Sequence, residues 1–206
     1  MLKLHHLNAS RSMRILWLLE EIGQPYEVIH YKRDANSNLA PQSLKAIHPL
    51  GKSPVLELDG KVVAESGAIV ELLIKRFAPH LAPDEQSAEY CDYLQWIHFA
   101  ESSAMLPVLL KMFNRYESKC GTALKFLDSY AEIEFTKVFS YLNDYLEGKR
   151  FLLADRLTGA DFMLGFAVQS ALQMLKHAHK YPHLTDYIDH LQSLGSYQRA
   201  LSIEAQ

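Results

Sequence analysis

Over the first stretch of the chain, the apolar positions switch between short alternating runs and helical spacing every ten residues or so, a pattern of strands and helices in turn. Leu2-Lys3-Leu4-His5-His6-Leu7 predicts a short strand, ended by Asn8-Ala9-Ser10, small polar residues that suit a helix start. Met13, Leu16, Trp17 and Glu20 then recur at helical spacing. Leu16, Leu19 and Ile22 keep one face apolar, and Gly23 stands where a C-cap belongs. Pro25 and Tyr26 to Tyr31 predict a second strand, and a strand-helix-strand start of this length favours a parallel pair with a crossover helix. Pro41 to Ile47 predicts a short helix and His48 to Gly51 a turn. Val55 to Leu58 and Lys61 to Ala64 predict a hairpin about Asp59-Gly60, since both turn positions want positive φ. Glu65 to Arg76 predicts an amphipathic helix with Ile69, Leu72 and Leu73 on its apolar side. That order yields a mixed four-stranded sheet with helices on its faces.

From Pro79 the strand signals stop. Pro79 and Pro83 bound a linker, residues 79–84, and divide the chain into an α/β domain at 1–78 and an all-helical domain at 85–206. In the latter, Glu85 to Tyr116 predicts a long helix with Tyr93, Ile97, Ala100 and Ala104 stepping by four, three and four. Ala123 to Leu146 predicts another, its apolar face formed by Val138, Tyr141, Leu142 and Tyr145. Thr158 to His177 and Pro182 to Leu194 supply two more. Thr158-Gly159-Ala160-Asp161 ahead of Phe162 to Phe166 reads as a capping box, a folding signal without chemistry of its own.

Composition narrows the classes of function. The chain has 206 residues, 49% hydrophobic and 22% charged, enough for a sizeable core. A net charge of -3 gives no electrostatic reason to expect nucleic acid, and no apolar run approaches the roughly 20 residues that span a bilayer. The N-terminal residues lack the charged start and apolar middle of a signal peptide, and the two cysteines, Cys91 and Cys120, have neither a scaffold's number nor a metal-ligand spacing. A cytoplasmic protein is expected. Ten histidines invite a metal reading, but His5 and His6 point to opposite faces of a strand and His177 and His179 are poorly spaced, so no metal is expected.

Three places combine chemistry with position. Ser10 and Ser12 lie between the first strand and first helix, where ligands of α/β layers collect; helix capping explains both equally well. Pro54 directly precedes a strand and cannot donate to its ladder, so it belongs at the strand's start or edge. Glu65-Ser66 opens a helix, where Ser66 would cap it or the free N–H groups would take a carboxylate. No Cys-x-x-Cys motif supports a disulfide reductase.

In order and interval, these segments resemble the cytosolic glutathione S-transferases, bacterial-type, and among them the serine-type members. The resemblance covers nearly the whole chain. It is carried by Leu7-Asn8-Ala9-Ser10-Arg11-Ser12-Met13-Arg14, by His48-Pro49-Leu50-Gly51-Lys52-Ser53-Pro54-Val55-Leu56, by Ala64-Glu65-Ser66-Gly67-Ala68-Ile69 and by Leu157-Thr158-Gly159-Ala160-Asp161. It implies a thioredoxin-like N-terminal domain, an all-α helical-bundle C-terminal domain, a homodimer, and a cis bond between Ser53 and Pro54. It also implies glutathione as co-substrate, with the Ser53 backbone on its cysteinyl part, Glu65 and Ser66 on its γ-glutamyl end, and Lys52 on a carboxylate.

Ser10 matches the serine that stabilises the thiolate, with Ser12 as second choice. A thiol of pKa about 8.5 is only a few per cent ionised at neutral pH, and lowering it by two units takes roughly 3 kcal/mol. A hydrophobic electrophile would lie near Leu7, Asn8, Met105, Leu106, Met112 and Tyr116. Arg11 stands where the cysteine-type members carry their cysteine, Met105 where they carry a histidine, and Gly51 where some serine-type members carry a glutathione-binding histidine. A glutathione-dependent peroxidase, or a binding protein that kept the fold and lost catalysis, are the alternatives.

Overall fold

The computed structural model describes residues 2–35, 37–119, 121, 124–153, 155–175 and 178–206; Cys120, Ala123 and His177 lie outside them. The residues fall into two compact units, Met1–Ala82 with Gln192–Gln206, and Pro83–Leu191.

The first unit is built on a sheet of order β2-β1-β3-β4, from β1 (Leu2–Leu7), β2 (Tyr26–Tyr31), β3 (Val55–Leu58) and β4 (Lys61–Ala64). β1 runs parallel to β2, with Leu7 opposite Tyr31, and antiparallel to β3, with His5 opposite Val55. The crossover is α1 (Ser12–Ile22), closed by Gly23 at φ 70, whose N–H bonds to the Leu19 carbonyl. Asp59 and Gly60 both have positive φ in the β3–β4 turn. Between β2 and β3, Gln42–Ala46 forms a 3-10 turn, shorter than the predicted helix.

After β4, α2 (Ser66–Phe77) buries Ile69, Val70, Leu73 and Ile74, while Leu72 is 36% exposed. The apolar stripe is thus offset by about one residue from the predicted one, because positions i, i+1, i+4 and i+5 face the sheet.

A further helix, α8 (Gly195–Glu204), belongs to this unit and packs on α1. Ser196 accepts the Trp17 indole N–H at 3.0 Å, Tyr197 meets the Trp17 ring edge-on, and Arg199 bonds Glu20. No sequence signal predicts this helix or its docking partner.

The second unit is helical. α3 (Glu89–Phe99) passes through a π-helical turn, Ala100–Ala104, into α4 (Met105–Lys119), so the predicted long helix is one rod with a wide turn in it. Tyr93, Ile97, Ala100 and Ala104 are all buried, as their spacing predicts. In α5 (Lys125–Tyr145) the core face is Ala131, Phe135, Val138, Phe139 and Leu142; Tyr141 is 48% exposed, a correction to the predicted face. α6 (Gly159–Met174) is buried nearly all round and forms the centre of this unit, with α7 (Pro182–Ser193) following it. The Thr158–Asp161 capping box is present at its start. Among the described residues no helix is long and apolar enough to cross a membrane.

Candidate functional site

The carboxyl end of β1 is where three serines meet. The Leu7 N–H is shared between Ser12 Oγ at 3.2 Å and Ser53 Oγ at 3.3 Å, and Ser53 Oγ donates to the His5 carbonyl at 2.8 Å. Ser10 Oγ lies 2.9 Å from Ser12 Oγ and accepts the Ser12 N–H at 3.2 Å. Ser12 is the first residue of α1, so the cluster sits at a helix N-terminus, where backbone N–H groups and the helix dipole favour negative charge. Ser12 is fully buried whereas Ser10 retains 8% exposure, leaving Ser10 as the hydroxyl of this pair nearer to solvent.

The loop that presents Ser10 is held by residues with no motif to announce them. Ala9 adopts φ 48, a left-handed conformation that a non-glycine residue takes at a cost. The Arg33 side chain donates to the carbonyls of Asn8 and Ala9 at 3.2 and 2.8 Å, and Glu204 of α8 accepts the Ala9 N–H at 2.9 Å. Behind the serines, His6 Nδ1 lies 2.9 Å from Ser12 Oγ. Burial, reinforced by the nearby His30, pushes the His6 imidazole down to about 4, so it is neutral at pH 7.

That shift has a sign. The unfolded chain takes up a proton below about pH 6.5 that the folded chain refuses until about pH 4, so His6 contributes stability that is lost as pH falls through this window. The stability difference between the wild type and a His6→Leu variant should therefore narrow by about 3 kcal/mol between pH 6.5 and pH 4, as read from urea midpoints; a constant difference would refute it.

Beside the end of β1, the Ser53–Pro54 bond is cis, as the resemblance implies, and Pro54 is buried at the entrance to β3. Glu65 has φ 72 and ψ 113, an unusual backbone for a residue with a side chain, and its own side chain is exposed. Ser66 does not cap α2 with its hydroxyl; instead it takes a hydrogen bond from Arg14 Nη1 at 2.9 Å, which corrects the capping reading. Arg14 is 1% exposed, so α1 carries a buried guanidinium to the N-terminus of α2, adding to the positive potential there.

Lys52 is exposed. Gly51 has φ 57, a backbone that residues with side chains adopt at a cost, and a Cβ there would come within 2.7 Å of the exposed Lys45 side chain, which would have to shift.

The residues expected to form the electrophile pocket fall in both units. In the first, Leu7 is buried and Asn8 exposed in the β1–α1 turn. In the second, all lie on α4: Met105 is buried, Met112 half-buried and Tyr116 exposed. Leu106 faces a groove of about 340 Å³ lined with Phe99, Pro107, Val138 and Tyr141, whereas the neighbouring Met105 is in the core. No group of three or more potential metal-binding side chains is found among the described residues.

Comparison with known proteins supplies the family. Residues 1–75 match the glutathione S-transferase N-terminal domain, and residues 109–196 match a glutathione S-transferase C-terminal domain. Glutathione S-transferase 1 of Saccharomyces cerevisiae is 30% identical over 95% of this chain and 92% of its own length. Glutathione S-transferase 3 of Schizosaccharomyces pombe is 36% identical over 75% and 70%. The crystal structure of a glutathione S-transferase from Actinobacillus pleuropneumoniae superposes with a TM-score of 0.89 at 34% identity, covering 100% of this chain and 93% of that one. With both its domains matched in order and a full-length relative at this identity, the chain belongs to the glutathione S-transferase family.

Proposed function

We propose that the protein is a glutathione transferase. In this reading the chain binds glutathione along the edge of its first domain, beyond the carboxyl end of β1, stabilises the thiolate with the Ser10 hydroxyl, and delivers the sulfur to a hydrophobic electrophile. The observation that carries the proposal is the meeting of Ser10, Ser12 and Ser53 at the end of β1, against the N-terminus of α1. A thiolate placed there meets a hydroxyl donor and a helix dipole together. The two supply the order of energy that a shift of two pKa units requires, roughly 3 kcal/mol.

The remainder of the tripeptide fits the charges on this edge. The γ-glutamyl end has an amine for the exposed Glu65 carboxylate and a carboxylate for the N-terminus of α2, where Arg14 lies beneath Ser66. The backbone of Ser53 would pair with the cysteinyl part, and Lys52 would meet a carboxylate. In the reaction the thiol proton leaves to solvent, and the sulfur's electron pair forms a C–S bond as the electrophile's leaving group departs.

The first experiment is a calorimetric titration of glutathione into the protein at neutral pH. Saturable binding between micromolar and millimolar, weakened about tenfold by Glu65→Ala, is expected. No binding at millimolar glutathione would refute the proposal and favour a protein that uses this fold for binding other partners.

A further inference from the structure

The hydrogen bonds around Ser12 raise a question of proton placement. A hydroxyl has one proton and two lone pairs. Ser12 Oγ has four neighbours: the Leu7 N–H at 3.2 Å, the Leu7 carbonyl at 3.1 Å, His6 Nδ1 at 2.9 Å and Ser10 Oγ at 2.9 Å. The Leu7 N–H can only donate, so it fills one lone pair. What happens at the other depends on which nitrogen of the neutral His6 ring bears the proton.

If Nε2 bears it, Nδ1 accepts the Ser12 proton, and the remaining Ser12 lone pair draws in the proton of Ser10. The Ser10 hydroxyl is then turned inward and has nothing to offer an anion. If Nδ1 bears the proton, it donates into the second lone pair of Ser12. Both lone pairs are then filled, the Ser12 proton goes to the Leu7 carbonyl or to Ser10 Oγ, and Ser10 has no acceptor in Ser12. Its own proton is free for an external anion.

The surroundings of the ring favour the second arrangement. Nε2 is buried and has no hydrogen-bond partner among the described residues. The closest carboxylate oxygen, Glu204 Oε1, stands 3.8 Å away and is held by the Ala9 N–H at 2.9 Å. A buried N–H without an acceptor is the rarer and costlier defect, whereas a bare ring nitrogen is an unfilled acceptor. Besides Glu204 from α8, the titratable group against the ring is His30 from β2, whose ring lies edge-on at 5.6 Å. A proton on it would oppose protonation of His6 but would not select between the two nitrogens.

We propose that His6 is a positioning residue that, by carrying its proton on Nδ1, fills Ser12 as an acceptor and so leaves the Ser10 proton directed at the bound thiolate. The consequence for the thiol rests on the glutathione reading above; the tautomer itself does not.

Two measurements test the two parts separately. Long-range proton–nitrogen correlation spectra of the unliganded, 15N-histidine-labelled protein at pH 7 read the tautomer directly, with His6 assigned by its loss in His6→Asn. A proton on Nδ1 is expected; a proton on Nε2 would overturn the proposal. In the second, the ultraviolet absorbance of the bound thiolate is followed against pH. His6→Leu should raise the thiol pKa by about one unit while changing the glutathione Kd at pH 5, where the bound thiol is protonated in both proteins, by no more than about twofold. His6→Asn, whose amide N–H stands near the position of Nδ1, should recover more than half of that shift. Variants that titrate like the wild type, or that shift by equal amounts, would overturn the positioning role. A wild-type protein that binds no glutathione would instead sink the transferase reading, and the tautomer spectrum alone would then decide the placement of the proton.

Discussion

Ser10→Ala should raise the pKa of bound glutathione by about 1.5 units and lower conjugation at neutral pH by about tenfold. The change removes one hydrogen bond to a charged sulfur and leaves the N-terminus of α1 in place, so part of the thiolate stabilisation survives. The deficit should be pH-dependent. Near pH 7 most of the variant's glutathione is a protonated thiol, whereas by pH 9 both proteins hold mainly thiolate. The intrinsically more basic thiolate of the variant is then at least as nucleophilic. A pH–rate profile therefore separates this role from general damage to the site, which would depress the rate equally at every pH. An unchanged profile would mean that the thiolate is stabilised elsewhere, and Ser12, fully buried and surrounded by Leu7, His6 and Ser10, is poorly placed to take over.

The largest loss of stability should come from Asp161→Ala, at about 4 kcal/mol, read from the denaturant midpoint. Asp161 is fully buried. Its Oδ1 accepts the Leu152 N–H at 2.9 Å and the Tyr187 hydroxyl at 3.0 Å; Oδ2 accepts the Thr158 N–H at 2.8 Å and the Thr158 hydroxyl at 3.0 Å. Truncation strands these donors in a dry interior, which costs more than the bonds themselves contribute. A loss under 1 kcal/mol would show that water or a rearranged loop replaces the carboxylate.

Burial pushes this carboxyl up to about 6, and the four donors pull in the opposite direction. The folded protein thus binds a proton at Asp161 more tightly than the unfolded chain does. The resulting contribution is fully present below about pH 4 and is lost as pH rises through about 6, opposite to that of His6.

Features set by neighbouring residues in the chain were legible without coordinates. The Asp59-Gly60 hairpin, the Gly23 cap and the Thr158–Asp161 box each follow from local φ preference or a spacing of three. The long α3–α4 rod followed from its period, though not the π-helical turn within it. What failed to show were side chains with two plausible destinations. Leu72 and Tyr141 are apolar enough for a core, but each helix is rotated so that neighbours fill it instead. Ser66 has the residue type and place of a cap, and only the fold brings the Arg14 guanidinium to it.

Ser10, Ser12 and Ser53 each stood in a motif of the sequence, but that their hydroxyls come together at the end of β1 was not legible there. The supports of the cluster were hidden too: His6 looked like half of a strand's alternation, Arg33 stands in no motif, and Glu204 belonged to a helix that the pattern did not reveal. Their partners lie 6 to 195 residues away in sequence, beyond the reach of any periodicity.

The return of α8 to α1 makes the first unit discontinuous, with the whole of Pro83–Leu191 inserted into it. The contact between Trp17 and Ser196 closes a span of 179 residues. For a flexible chain, closing a loop of that length costs about 4–5 kcal/mol of entropy beyond a constant. Folding the inserted segment first replaces most of that free chain with a compact body whose two ends have a fixed separation, and the remaining search becomes short.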